Sequence, residues 1–127
     1  MITKEITIAG KQVTLAYCYA TEIAFTDLSG EDITDFMQEA FTRINDQRMP
    51  PVKKTIYAII ACMMAYYNSI DKDAPIKDTD LMNDTTPEEL GKALGTVIAI
   101  RTDFYKIPTG EEDKKKPEEQ EGDKKNA

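Results

Sequence analysis

The side chains in this chain with the most chemical potential are two cysteines and a run of acids near residue 80, and neither group stands in a pattern that a reaction needs. Histidine, the commonest general base and metal ligand near neutral pH, does not occur. Cys18 lies in Ala16-Tyr17-Cys18-Tyr19 and Cys62 in Ile60-Ala61-Cys62-Met63, with no candidate base close in sequence. A cysteine in such apolar company reads as a small buried hydrophobe. A disulfide between the two stays open, although nothing in the sequence suggests a secreted disulfide framework. Ser29 and Ser69 belong to no nucleophile motif, and Gly10 and Gly30 read as turn and cap glycines, with no phosphate loop around them.

The acidic run Asp78-Thr79-Asp80-Leu81-Met82-Asn83-Asp84, with Glu89 beyond it, is the best metal candidate. Set against a calcium loop, Asp78, Asp80 and Glu89 take the first, third and last ligand positions. Met82, however, falls where a hard oxygen is required, and Asn83 falls where the loop needs glycine for its sharp turn. The segment therefore reads as a solvated loop leading into a helix cap, and Asp71 and Asp73 as linker acids. The expectation is a protein that is not an enzyme and has no cofactor and no metal.

The elements that carry these residues are legible from periodicity. Ile2, Lys4, Ile6 and Ile8 alternate with Thr3, Glu5 and Thr7, and after Ala9-Gly10-Lys11 the alternation resumes with Val13, Leu15 and Tyr17. That is a β-hairpin, which must cover helices or pair with another chain because a lone hairpin is unstable. From Ala20 the period changes. Thr21 is expected to cap a short helix that stops at Ser29-Gly30. A second helix, from Glu31 to Asn45, puts Ile33, Phe36, Met37, Ala40, Phe41 and Ile44 on one stripe. Met49-Pro50-Pro51 breaks the chain.

A third helix, Pro51 to Ile70, has Val52, Ile56, Ile59, Ile60, Met63, Tyr67 and Ile70 on its stripe, yet Tyr57, Ala58, Ala61, Met64, Ala65 and Tyr66 leave almost no polar face. Such a helix is either central to the fold or covered by something else, and full burial within so small a domain is hard to arrange. Asn68 to Asp84 reads as a polar linker. Thr86-Pro87-Glu88-Glu89 marks the start of a fourth helix through an N-cap, a proline in the first turn and a capping glutamate. This helix runs to Lys106, with Gly91, Gly95 and Ala99 in a small-residue strip. The strip either admits another helix closely or holds glycines tolerated on a surface, each costing roughly 1 kcal/mol against alanine.

The fold class is therefore α+β, predominantly α: an N-terminal hairpin and about four helices in one domain over 1–107, then a disordered charged tail over 108–127. The tail alternates acidic and lysine blocks and has no apolar residue except its final alanine. The 41% hydrophobic content suffices for one small core. A net charge of −7 works against nucleic acid and against anionic membranes. The apolar run Thr55 to Tyr67 falls short of the ~20 residues that span a bilayer, so an intracellular, soluble protein is expected.

The order of these elements resembles the tail assembly chaperones of long-tailed phages and prophages. The likeness rests on the opening hairpin Ile6 to Leu15, on the junction Leu28-Ser29-Gly30-Glu31-Asp32-Ile33 after a short helix, and on an alanine-rich apolar helix followed by a Thr-Pro-Glu-Glu-Leu helix before a charged end. The resemblance implies a chaperone in the cytoplasm of the bacterial host that coats the tape measure protein, helps recruit the tail tube protein and is absent from the mature virion. It also implies that a longer form can arise by ribosomal frameshifting, for which Lys114-Lys115-Lys116 and Lys124-Lys125-Asn126 are stretches that an A-run can encode. Tyr57, Met64, Tyr66, Gly91, Gly95 and Ala99 are the candidate partner-binding residues, for the client or for self-association, although the apolar ones could equally fill the core. Two other classes remain open: a virion structural or connector protein, and an acidic inhibitor that binds a basic host partner.

Overall fold

The computed structural model describes residues 1–106; the expected charged tail and any frameshift site lie outside the described residues. Strands β1 (Ile2–Ile8) and β2 (Lys11–Tyr17) form an antiparallel pair, with Ile2 opposite Tyr17 and Ile8 opposite Lys11. Ala9 and Gly10 turn between them at φ 51° and 76°, the mirrored two-residue turn whose twist matches the strands it joins. Ile8, Val13, Leu15 and Tyr17 are buried, as their alternation requires, while Ile2 and Ile6 are half-buried and Lys4, on the same face, is exposed.

Five helices follow. Helix α1 (Tyr19–Ser29) starts earlier than expected: Cys18 is its N-cap and Thr21 its third residue. The fully buried Thr21 hydroxyl accepts the Cys18 N–H at 3.2 Å and donates to the Ala16 carbonyl at 2.8 Å. It thus joins helix to strand where β2 enters α1 with no intervening loop. Gly30, at φ 74°, ends the helix and donates its N–H to the Thr26 carbonyl.

Helix α2 (Ile33–Asn45) is capped by Asp32, whose carboxylate accepts the Thr34 N–H at 2.7 Å. Its stripe is buried through Ile33, Phe36, Met37 and Ala40, but Phe41 and Ile44 are 46% and 45% exposed.

Helix α3 (Val52–Ser69) is central, packing on α1, β2 and α5 and touching α4. Six consecutive residues, Ala58 to Met63, are buried. Partners on several sides at once account for its missing polar face, so the chain itself achieves the burial that seemed hard to arrange. Lys54 ties the start of α3 to the preceding region through Glu31 at 2.9 Å and Glu39 at 3.1 Å. Hydrogen bonding to the two carboxylates raises the Lys54 pKa, and the bond from Lys54 lowers that of Glu39.

The expected linker contains a further helix, α4 (Asp78–Asp84), held down by the buried Leu81 and preceded by the buried Ile76. Helix α5 (Pro87–Phe104) starts as its sequence announces. The Thr86 hydroxyl accepts the Glu89 N–H at 3.2 Å and the Glu89 carboxylate accepts the Thr86 N–H at 3.1 Å. Leu90, Ala93, Leu94, Val97 and Ile100 face inward, and α5 packs under β1, β2 and α3.

Candidate interaction surface

The six candidate residues lie on two helices and three faces. On α3, Tyr57 and Met64 are seven residues apart and share a face, while Tyr66 points to the far side of the helix. Met64 is 39% exposed and lines an open cavity of about 310 Å³ between α1 and α3, with Ala20, Ala24 and Ala65 as its small walls and Met1 and Cys18 at its rim. Ile23, 62% exposed, lies on α1 beside Ala24. Tyr57 is half-buried with the Lys53 ammonium 5.8 Å from its ring centre. Tyr66 meets the Tyr67 ring edge-on at 4.9 Å, and the Tyr67 hydroxyl accepts the Thr14 N–H at 3.0 Å. Tyr66 thus stacks on the tyrosine that reaches β2 and does not line the Met64 groove.

On α5, Gly91, Gly95 and Ala99 are exposed along one side. Open space lies beyond the position of a Cβ at either glycine, so no other element among the described residues packs directly on Gly91 or Gly95. Gly95 and Ala99 border a second groove, of about 610 Å³, whose other wall is Ile2, Thr3 and Lys4 of β1.

Two features of the surface escape periodicity. The first is a cluster at the end of α5. Glu22 accepts hydrogen bonds from the Tyr17 hydroxyl at 2.8 Å and from the Tyr105 hydroxyl. The Phe104 ring lies against Tyr17 at 5.6 Å and Tyr19 at 5.2 Å. The Arg101 guanidinium sits 5.3 Å from the Tyr105 ring centre and donates to the Thr34 hydroxyl at 3.1 Å. Burial, reinforced by the Glu22 carboxylate, pushes the Tyr17 phenol far up, and the bond to Glu22 pushes Tyr105 to about 12. Both phenols stay protonated at neutral pH and act as donors, so the cluster clamps α5 onto α1. Tyr105 and Glu22 are 83 residues apart, and only the tertiary path brings them together. The second feature is the exposed end of α2, where Phe41 and Ile44 are followed by Met49 and Val52, each 50% exposed.

The residues first weighed for chemistry are placed as follows. Cys18 and Cys62 are free thiols, and burial pushes the Cys62 thiol well above its ordinary pKa. Asp78 and Asp80 lie in the first turn of α4, and the Glu89 carboxylate is engaged in the α5 cap. A helix cannot wrap these acids around one ion as a calcium loop does. Among the described residues no group of three acids or thiols is disposed to hold a metal ion, and no helix is long and apolar enough to cross a membrane. No protein-family model matches the chain, and comparison with curated proteins and with solved structures finds no significant match.

Proposed function

We propose that this chain is a non-catalytic tail assembly chaperone of a phage or prophage, acting in the bacterial cytoplasm, where it holds helical segments of the tape measure protein and helps recruit tail tube subunits. The observation that carries the reading is the open α1–α3 groove. Met64 stands there beside alanines at 20, 24 and 65, with Ile23 exposed on the adjoining helix. Small walls let a helix approach closely, and a flexible methionine adapts to varied apolar side chains. The order of hairpin, short helix, apolar helix and Thr-Pro-Glu-Glu-Leu helix supports the same reading, and so does the acidic exterior, which suits a carrier of apolar segments.

The test is co-expression with the tape measure gene of the same locus. The chain should raise the soluble yield of tape measure fragments without ATP. Met64→Glu should abolish that gain while leaving the unfolding midpoint close to that of the parent, because Met64 is partly exposed. If the variant unfolds, Met64 is a core residue and the groove is not the client site. No gain in yield, together with the protein's presence in purified virions, would favour a connector instead.

A further inference from the structure

The two edges of the hairpin are treated differently. Thr14 donates its N–H outward to Tyr67, and the Ala16 carbonyl accepts outward from Thr21, so side chains occupy part of the free edge of β2. Thr14 lies opposite Glu5 and Ala16 opposite Thr3. Opposed residues in an antiparallel pair both turn their main-chain groups inward or both turn them outward. Thr3, Glu5 and Thr7 therefore direct their N–H and C=O groups away from β2, and among the described residues no hydrogen bond reaches those groups. This edge borders the open groove against Gly95 and Ala99 of α5, where neither helix nor side chain fills the space.

An exposed strand edge is a template for another strand. We infer that β1 receives an extended segment of another polypeptide as a third strand, with a carboxylate placed beside Lys4 and small apolar side chains over Gly95 and Ala99. Three observations select this occupant. Lys4 lies on the groove side of β1 without an ion-pair partner among the described residues, whereas Lys92 on the α5 wall is already paired with Glu88 and Asp103 stands at the same groove. The charge of Lys4 complements an acidic residue placed beside it on the incoming strand. A second copy of β1 is disfavoured by charge. The two antiparallel registers that pair nearly its whole length with a two-fold mate set Glu5 against Glu5 or Lys4 against Lys4. Head-to-tail pairing with β2 of another copy would have to displace the bonds that Tyr67 and Thr21 make to Thr14 and Ala16. The inference is independent of the helical client proposed for the α1–α3 groove.

The test uses the full ¹⁵N-labelled chain and a short blocked peptide in which threonine alternates with valine and aspartate replaces the central valine. Amide resonances of Thr3, Glu5 and Thr7 should move downfield and their exchange should slow, while Thr14 is unaffected. Lys4→Glu should weaken binding about tenfold, and a peptide with lysine for aspartate should recover it. The same peptide N-methylated at its edge-facing nitrogens should not bind. No shift at these amides at millimolar peptide would overturn the proposal, as would equal binding of the N-methylated peptide. Slow exchange at Thr3, Glu5 and Thr7 before any peptide is added would also overturn it. Protection that grew with protein concentration would then identify a second copy, and protection independent of it would identify residues 107–127.

Discussion

Glu22 accepts hydrogen bonds from the hydroxyl of a tyrosine at the end of β2 and from that of one just past the end of α5, and this sharing has a pH signature. The folded-state pKa of Tyr105 is raised from its ordinary 10.0 to about 12, and that of Tyr17 moves the same way. The contribution of these bonds is therefore complete below pH ~10, the value in the unfolded chain, and is lost as pH rises through the folded value. In an ultraviolet titration Tyr17 and Tyr105 should be the last of the tyrosines to ionise. Glu22→Gln keeps an acceptor but removes the charge, and it should bring the Tyr105 transition down toward 10; an unchanged transition would mean that Glu22 does not hold the phenol. Tyr105 could not be paired with Glu22 from sequence, because a carboxylate and a phenol have no periodicity that links an early helix to a late one.

At the scale of elements, the small-residue strip of α5 gives a direct prediction. Gly91 and Gly95 sit in a helix with open space where a Cβ would go. Gly95→Ala should therefore raise the unfolding free energy by about 1 kcal/mol, through the lower helix propensity of glycine, and Gly91→Ala by a similar amount. Chemical denaturation would measure both, and destabilisation would show that something packs against the strip. The elements that could be read in advance are those whose pattern repeats: the alternating strands, the stripe of α2, the cap of α5. Helix α4 was hidden because a seven-residue helix with one buried leucine has no period to detect. Thr21 looked like a cap because threonine caps often, but its burial beside Ala16 gave its hydroxyl a strand carbonyl to satisfy. Spacing shows which residues share a face of a helix and is silent on what covers that face. For that reason Ala58 to Met63 proved central, Phe41 and Ile44 proved exposed, and the candidate residues fell onto three separate faces.

For the molecule as a whole, the described core closes within residues 1–106. Truncation at Thr109 should leave the thermal midpoint unchanged, since beyond Pro108 the sequence has no apolar side chain except its final alanine; a marked fall would show that the segment docks. The groove between β1 and α5 has one more consequence. Ile2 and Asp103 border it together, and Tyr17, opposite Ile2, lies against Phe104. Among the described residues, the start of β1 and the end of α5 thus lie side by side. A circular permutant that joins Lys106 to Met1 through a short glycine-serine linker, reopened in the exposed stretch Asp71 to Asp73, should fold to the same core and unfold in one cooperative transition. If that rearranged chain fails to fold while the parent does, then the order in which hairpin and helices are connected matters as well as the contacts they make.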